Sequence, residues 1–459
     1  MNLLLAGILV YVLVQIAIGV LVSRKIRSED DYLLAGRSLG PVLATFSFFA
    51  TWFGAETCID AAGQIYADGL AGGSAEPFGY GLCVLFLGLV FAASLWRRGI
   101  TTVADLFRQR YSPGIEKIVI FVTVPGSIFW AAAQIRAFGQ VLDATGGVGV
   151  STGITIAAAA VIIYTVTGGL KADVVTDVIQ GIVIILGLVL LAWVVTDDLG
   201  GWPAAVSAIP SERLQLFDLS RGMELVETWA VPICGSVLAQ ELIARVLACR
   251  SPQVARNSAL LGGGLYLLVG MIPVMLGLVG LRLLPGLEDQ EQFLPTLARE
   301  HFTPLLYIIF AGALVSAILS TVDSTLLAGS AVICHNLVIP ARPGMAERTK
   351  LLVNRLGVVG CGLAAFGLAL SAESIYSLVE LSSAVGGGGL FLLFAVGQFS
   401  QIGGRLAAYA ALITSSLTWM ILSWVCESTW PYTGSLIVAA ITYFAVACQE
   451  PATTTPKAA

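Results

Sequence analysis

The chain has 459 residues, of which 57% are hydrophobic and only 12% are charged, with a formal net charge of −5 and a mean hydropathy of +0.89. This composition excludes a water-soluble globular protein, because most of the chain must lie in lipid or against other apolar helices. The eight cysteines show no CxxC spacing, and the two histidines, His301 and His335, form no metal pair. The sequence therefore indicates neither a disulfide framework nor a zinc site.

Apolar segments follow one another along the chain and predict an all-α polytopic membrane protein. A helix needs ~20 residues to cross the hydrocarbon of a membrane, and most segments are near that length. The first segment is too long for the core of a signal peptide and is interpreted as a membrane helix. This criterion predicts about thirteen transmembrane helices, at residues 3–22, 41–66, 77–96, 116–141, 152–167, 174–195, 225–249, 258–279, 305–338, 352–371, 375–396, 407–426 and 434–447.

Basic residues are distributed unevenly between the loops on the two sides of the predicted membrane. If the chain starts outside, eighteen of its 24 lysines and arginines fall in or near inside loops, and only four fall in outside loops. Basic loops tend to stay on the cytoplasmic side. The asymmetry predicts a multi-pass protein of the cell (inner or plasma) membrane, with its N-terminus outside and its C-terminus in the cytoplasm.

Two of the segments contain interruptions. The second carries Gly54, Glu56 and Asp60, which a lipid-facing helix would not tolerate, and the seventh is interrupted between Pro232 and Glu241. Broken helices free backbone carbonyls for an ion, and two of them, each first in a run of five helices, indicate an inverted repeat. Two unrelated kinks are the alternative. The predicted organisation is an N-terminal helix and cytoplasmic loop (1–40), a first repeat (41–195), an outside loop with a short surface helix (196–224), a second repeat (225–398), and two C-terminal helices with a short tail (399–459).

The ninth segment places hydroxyl groups inside an apolar run. Ala317, Ser320, Thr321 and Ser324 are spaced i, i+3, i+4 and i+7, so they share one face of a helix. A hydroxyl in hydrocarbon must bond back to its own helix or serve a polar cavity, and a small hard cation such as Na⁺ takes oxygen ligands. The face therefore indicates either a Na⁺ site or a seam of small residues between packed helices.

Two motifs resemble a known family. Residues 164–180 (YTVTGGLKADVVTDVIQ) and 316–324 (SAILSTVDS) are similar to signatures of the sodium/solute symporters, and the resemblance extends over nearly the whole chain. It implies a leucine-transporter-type fold, with ten core helices in two inverted repeats of five. It also implies Na⁺-coupled import of a small organic solute by alternating access, without enzymatic activity. A membrane ligand sensor that uses the same fold without coupled transport is the alternative.

The resemblance also implies roles for individual residues. The coupled Na⁺ would be bound by backbone carbonyls and hydroxyls of Ala50, Phe53, Ala317, Ser320 and Thr321. Asp177 corresponds to the acidic residue that the family places near the cytoplasmic sodium exit. The alternative for Asp177 is a charge at a helix end that offsets Lys171.

Within the family, the choline-transporter branch resembles the chain most. Trp52, Tyr80 and Trp130 fall at positions of the aromatic cage with which that branch binds a quaternary ammonium by cation–π attraction. Ala239, Val379 and Glu380 stand where the branch has aromatic residues. The resemblance is carried by residues 50–52 (ATW), 77–80 (PFGY), 129–133 (FWAAA) and 316–324.

These residues predict a solute that carries a positively charged nitrogen. It is either an amine or ammonium compound, or an amino acid whose carboxylate meets a half-helix end or Arg136. Alternatively, the rings simply pack together, and the glutamates bind a second Na⁺ or cap hydroxyls. The predicted partners are the solute, Na⁺ and the lipid bilayer, with no nucleic acid. The predicted solute-binding residues are Trp52, Glu56, Tyr80, Trp130, Gln240 and Glu241.

Overall fold

The computed structural model describes residues 3–24, 26–207, 209–372, 375, 378 and 387–450. Within these ranges the chain is almost entirely helical and contains no strand, which confirms the predicted all-α class. A single extended bridge there joins Leu39 to Cys249. The Leu39 amide donates to the Ala248 carbonyl at 3.0 Å, and the Arg250 amide donates to the Leu39 carbonyl at 3.0 Å.

The helices are numbered in chain order. The α-helices of the described ranges are α1 (Leu3–Ser23), α2 (Glu29–Leu34), α3 (Pro41–Trp52), α4 (Ala61–Asp68), α5 (Tyr80–Phe86), α6 (Ala92–Arg97), α7 (Val103–Arg110), α8 (Pro113–Gly146), α9 (Val150–Asp198), α10 (Trp202–Ser207), α11 (Met223–Ala230), α12 (Gln240–Ala248), α13 (Pro252–Leu283), α14 (Phe293–His301), α15 (Pro304–Ile333), α16 (Glu347–Ser371), α17 (Gly387–Phe399), α18 (Arg405–Met420) and α19 (Pro431–Ala447). Wider π-helical turns adjoin several of them, at Glu56–Asp60, Ser74–Gly79, Leu87–Phe91, Val231–Gly235, Cys334–Val338 and Ile421–Val425.

Several helices could cross a membrane. Eight in the described part of the chain are long and apolar enough, or nine if the bent pair α11–α12 counts as one span. The shorter apolar helices are α3, α17 and α19. The predicted segment 375–396 is described only in part, because most of residues 375–386 lie outside the described residues. The number of thirteen transmembrane helices therefore stays a prediction. Segments 152–167 and 174–195 both lie in α9, and the predicted outside loop contains a short helix, α10.

Both predicted interruptions are present. α3 ends at Trp52, and the chain re-enters helical conformation at Ala55 through the π-helical turn that leads into α4. α11 and its following turn end at Gly235, and α12 begins at Gln240 with its axis bent by 43°. Each break lies next to α15, the central helix, or next to its neighbour α8. Backbone groups that the break frees are therefore near polar side chains of these helices.

The most enclosed long helix in the described structure is α15. Of its most apolar 18-residue window, 78% is buried inside the protein, whereas the corresponding share is 28% for α16 and 24% for α1. The peripheral helices expose large apolar side chains such as Leu13 and Leu363, as a lipid-facing surface requires. The hydroxyls of α15 are therefore shielded from lipid and face other helices.

α9 changes direction at Gly169. Its φ of 53° and ψ of −176° lie in a region that is essentially restricted to glycine. A Cβ atom here would lie 2.6 Å from Tyr32 Cδ2 and 2.8 Å from the Tyr32 carbonyl oxygen. The hydroxyl of Tyr32 donates to the Thr165 carbonyl at 3.2 Å. The bend in α9 and the position of α2 are thus fixed together.

Replacement of Gly169 by Ala should destabilise the protein by roughly 1–3 kcal/mol, because the new Cβ combines backbone strain with a clash against Tyr32. The measurement is the apparent unfolding temperature of the purified protein in detergent. Gly312→Ala is the matched control, since no atom of another segment lies within 4 Å of its Cβ position and alanine favours a helix. Equal unfolding temperatures for the two variants would contradict this account.

Candidate functional site

Two hydroxyls of α15 lie against the last turn of α3. Ser320 Oγ donates to the Ala50 carbonyl at 2.7 Å and also lies 3.0 Å from the Ala317 carbonyl. Thr321 Oγ1 donates to the Thr51 carbonyl at 2.9 Å and lies 3.1 Å from the Ala317 carbonyl. All five residues are buried. Their five oxygen atoms form one group, which we call the oxygen cluster.

The oxygen cluster exists because α3 is interrupted. In a continuous helix the carbonyls of Ala50 and Thr51 would accept hydrogen bonds from the amides of Gly54 and Ala55. The Ala55 amide instead donates to Gln134 Oε1 of α8 at 2.9 Å. Side chains of α15 and α8 thus satisfy backbone groups that the break has freed, which a medium without water requires.

The oxygen cluster suits a small hard cation, because such ions take several oxygen ligands. A hydroxyl that donates to a carbonyl can rotate its hydrogen away and offer a lone pair instead. If ligands lie about 2.4 Å from an ion, neighbouring ligands at right angles are ~3.4 Å apart. The contacts of 2.7–3.1 Å therefore need to widen by less than about 1 Å to admit the ion.

Four of the five residues predicted to bind Na⁺ lie in this cluster: Ala50, Ala317, Ser320 and Thr321. The fifth, Phe53, lies at the break, where its amide donates to the Phe49 carbonyl at 2.9 Å. No hydrogen bond of the described residues joins the Phe53 carbonyl to α15, and the Thr51 carbonyl makes that contact instead. The Na⁺ role of all of them stays a prediction.

The predicted sodium exit residue, Asp177 of α9, is fully buried in a charged network. It accepts a hydrogen bond from Ser47 Oγ of α3 at 2.6 Å, and its Oδ2 lies 3.7 Å from Arg245 Nη2 of α12. The same guanidinium nitrogen lies 2.5 Å from Asp173 Oδ2 and contacts Ser324 Oγ. The network therefore joins α3, α9, α12 and α15.

The hydroxyl of Ser324 connects this network to the backbone of Ser320, whose side chain belongs to the oxygen cluster. Ser324 Oγ lies 2.7 Å from the Ser320 carbonyl. Arg245, and not the predicted alternative Lys171, is the cation that pairs with Asp177 among the ion pairs described. Because a buried charge is stable only when it is paired, the guanidinium and its carboxylates depend on one another. Through Ser324, the network contacts α15 four residues from Ser320.

The three predicted aromatic residues meet. The ring centroids of Trp52 and Trp130 are 5.0 Å apart, those of Trp52 and Tyr80 are 6.0 Å apart, and those of Tyr80 and Trp130 are 5.7 Å apart. At these distances the rings pack against one another, so in this conformation they do not surround an open space. The indole N–H groups of Trp52 and Trp130 are buried, and that of Trp130 lies near the carboxyl group of Glu56.

A small cavity of about 50 Å³ lies beside the aromatic residues, between α8 and the break that precedes α12. Trp130, Ser236 and Glu241 are among its lining residues. Ser236 Oγ and Glu241 Oε2 are buried, and neither has a hydrogen-bond partner within the described ranges. Buried polar atoms are normally paired, so a solute with an N–H donor would satisfy both.

Two further predicted solute residues differ in their surroundings. Gln240 lines the cavity, but its Oε1 accepts a hydrogen bond from the Val103 amide at 2.7 Å and so caps α7. Glu56 is not part of the cavity wall, and its Oε2 accepts a hydrogen bond from Gln134 Nε2 at 2.5 Å. Glu56 thus contacts α8 at the break in α3, through Gln134 and beside Trp130.

The remaining expectations concern the walls of the cavity. Ala239 lines the cavity, and its small side chain lies at the position where the choline-transporter branch has an aromatic ring. Arg136, the predicted partner of a solute carboxylate, directs Nη1 towards the Ala369 carbonyl at 3.5 Å. Val379 and Glu380 lie outside the described residues.

Sequence reasoning missed several residues of these contacts. Arg245 and Asp173 could have been found, because a charged side chain within an apolar helix marks a functional site by default. Gln134 carries a weaker signal, since an amide in a membrane helix also occurs in packing seams. Thr51 carries none, because it acts through a backbone carbonyl that every residue has.

Comparison with known proteins agrees with the geometry. Residues 32–416 match the family described as "SSF: Sodium:solute symporter family". The chain is 25% identical over 410 residues to the high-affinity choline transporter 1 of Caenorhabditis elegans, which covers 80% of this chain and 68% of that protein. It is 25% identical over 446 residues to the sodium/proline symporter of Escherichia coli, which covers 91% and 87%. The chain spans 64% to 70% of the length of its choline-transporter relatives.

Solved structures share the fold. A Na⁺-coupled sialic acid symporter, in a substrate-bound outward-open state, matches with a TM-score of 0.87 and 16% identity over the whole of both chains. Mhp1, a nucleobase-cation-symport-1 family transporter, matches in a closed conformation with a TM-score of 0.67 and 15% identity over 91% of this chain and 93% of that one. The predicted transporter fold is therefore confirmed.

Replacement of Asp177 by Asn keeps the shape of the side chain and removes its charge. We expect Na⁺ to leave the protein roughly tenfold more slowly, because the carboxylate that would attract the departing cation is removed; this change corresponds to ~1.4 kcal/mol. Solute affinity should stay near normal. The measurement is the dissociation rate of radioactive Na⁺ from the purified protein, with Asp197→Asn, an exposed position of the same helix, as control. Normal Na⁺ release together with lost solute binding would place Asp177 in the solute site instead.

Proposed function

The chain belongs to the sodium:solute symporter family, and from this premise we propose that it imports a small organic solute together with Na⁺ by alternating access. The observation that carries the proposal is the oxygen cluster, where the hydroxyls of Ser320 and Thr321 meet carbonyls freed by an interrupted helix. The distribution of basic residues supports an orientation in the cell membrane with the N-terminus outside and the C-terminus in the cytoplasm.

Na⁺ in the oxygen cluster would couple two helices. The carbonyl ligands come from both α3 and α15 and the hydroxyl ligands from α15, so a bound ion holds the helices together. If this arrangement favours the outward-open state, Na⁺ raises solute affinity there, and reciprocity requires the solute to raise Na⁺ affinity by the same factor. On the cytoplasmic side, the carboxylate of Asp177 would attract the departing cation.

The solute that we propose carries a positively charged nitrogen with at least one N–H group. Glu241 supplies a buried carboxylate oxygen that lacks a donor, and Ser236 supplies an unpaired hydroxyl. Trp130 can add a cation–π attraction of ~0.5–2 kcal/mol. Choline, named for one relative, has no N–H, whereas the proline named for another is an amino acid with a secondary amine. The free Glu241 oxygen and the small Ala239 favour an amine or an amino acid over a quaternary ammonium.

Replacement of Ser320 and Thr321 together by Ala should weaken Na⁺ affinity by at least about tenfold, because two ligand oxygens are removed from the ion's shell. The fold should change little, since small residues still pack at this face. The measurement is Na⁺ activation of solute accumulation in proteoliposomes.

Thr325→Ala is the matched control for this double variant. Thr325 Oγ1 donates only to the Thr321 carbonyl of its own helix, at 2.7 Å, so its loss should leave Na⁺ activation unchanged. Unchanged Na⁺ activation in the double variant would refute the assignment of the oxygen cluster. Solute binding without any accumulation would instead indicate a sensor.

The identity of the solute can be tested by thermal stabilisation of the purified protein with amines, amino acids, betaines, sugars and carboxylates, with and without Na⁺. We expect an amine or amino acid to stabilise the protein most, and more strongly with Na⁺.

Glu241→Gln should lower the affinity for that ligand at least about tenfold, because a hydrogen bond to a charged group contributes ~1.5–3 kcal/mol. Trp130→Ala should also weaken binding, and Trp424→Ala, which is 69% exposed, should not. An uncharged sugar or an anion as the best ligand would exclude the ammonium proposal.

A further inference from the structure

Two glutamates near the break in α3 are buried without a cationic partner. Glu56 is 0% exposed and Glu76, just before α5, is 5% exposed. The Oε1 atom of each is buried and has no hydrogen-bond partner in the part of the chain that the structure describes. None of the ion pairs found there includes either glutamate. Each carboxyl group therefore has one oxygen that is free to bind a ligand.

Hydroxyl groups surround the other oxygen of Glu76. Thr57 Oγ1 donates to Glu76 Oε2 at 3.0 Å, and the Tyr266 hydroxyl of α13 donates to the same oxygen. The hydroxyls of Thr57 and Tyr266 are 2.7 Å apart. The turn Glu56–Asp60, α13 and the turn Ser74–Gly79 thus place several oxygen atoms together.

The titratable groups around this pair are all acids. The charged groups that act most strongly on Glu76 are Glu56 and Asp60. The thiols of Cys58 and Cys83 are also close. Two ionised carboxylates that lack a counter-ion are too costly to bury, at several kcal/mol each. A cation must therefore accompany them in at least one state of the protein.

Gly54 brings Glu56 next to the oxygen cluster. A Cβ atom on Gly54 would lie 2.7 Å from Glu56 Oε2, 2.8 Å from Thr321 Oγ1 and 2.9 Å from Gln134 Oε1. Three oxygens from three segments thus converge over a residue that has no side chain. Because the separation is short and water is scarce, a charge at Glu56 and an ion near Thr321 must influence one another.

We propose that Glu56 and Glu76 bind a second monovalent cation, Na⁺ or a proton, at a site separate from the oxygen cluster. The two Oε1 atoms and the hydroxyls of Thr57 and Tyr266 supply the oxygen ligands that Na⁺ requires, and either carboxyl group can carry a proton. The inference rests on the proposed coupled transport and extends it, because a second driving cation steepens the solute gradient that the protein can maintain.

The test counts the cations that the purified protein binds. Equilibrium dialysis with radioactive Na⁺ gives the number of ions bound per molecule, and infrared spectroscopy detects the C=O stretch of protonated carboxyl groups. The wild type is compared with Glu56→Gln/Glu76→Gln and with Ser320→Ala/Thr321→Ala. Glu227→Gln is the control. Glu227 caps α19 and belongs to neither cation site, so its replacement should leave cation binding unchanged.

The dialysis and infrared results differ according to whether the second cation is Na⁺ or a proton. For Na⁺, the wild type binds two ions and each double variant binds one. For a proton, the wild type binds one Na⁺ and shows a protonated-carboxyl band that is lost in Glu56→Gln/Glu76→Gln and kept in Ser320→Ala/Thr321→Ala. One Na⁺ in the wild type without a protonated-carboxyl band from the pair overturns the inference and leaves the oxygen cluster intact. Unaltered Na⁺ binding in Ser320→Ala/Thr321→Ala overturns the proposed function instead.

A second variant covers the case in which the glutamine variant does not fold. Tyr266→Phe keeps both carboxyl groups and removes one hydroxyl that contacts Glu76. It should weaken the affinity for the second cation, or shift the pH at which the infrared band appears, by about tenfold or one pH unit. An affinity and a band that both equal those of the wild type overturn the inference.

Discussion

The site depends on one constraint, which is that the backbone groups freed by the break in α3 cannot be left to water. Their partners come from other helices: Ser320 and Thr321 for two carbonyls, and Gln134 for the Ala55 amide. In a membrane protein each unpaired group costs several kcal/mol. The break can therefore exist only where α15 and α8 present polar side chains, and those side chains are shielded from lipid only because α15 is central.

The same constraint makes the site suitable for an ion. A hydroxyl that stabilises a carbonyl by donating a hydrogen bond can exchange that role for coordination of a cation, and the carbonyl then becomes a second ligand. The exchange keeps every oxygen atom satisfied, with or without the ion. A helix break maintained in this way can open and close at low cost, as alternating access requires.

Two groups of buried charged side chains lie close to the interrupted helix and have different consequences. Around Arg245, one guanidinium is shared by the carboxylates of Asp173 and Asp177 and contacts Ser324, which ties α9, α12 and α15 together. Around Glu56 and Glu76, no ion pair of the described residues includes either carboxylate, so a cation from solution is the partner that we propose. The first group suits a structural link near an ion path, and the second suits the uptake of a cation. The first group contacts α3 through Ser47, and Glu56 of the second group follows the break in α3 directly.

The sequence by itself determined the all-α membrane class, the two interrupted helices and the shared face of Ser320 and Thr321. These features are local, because hydrophobic length, Gly and Pro interruptions and helical spacing are properties of short runs of residues. Only the tertiary structure decided that the carbonyl of Thr51, not that of Phe53, contacts α15, since every residue has a carbonyl and the point at which the helix breaks selects which one is freed. It also decided the partner of Asp177. Lys171 is near Asp177 in sequence, but the pairing of Asp177 with Arg245 depends on how two helices that are distant in sequence pack together. No short sequence pattern predicts that packing.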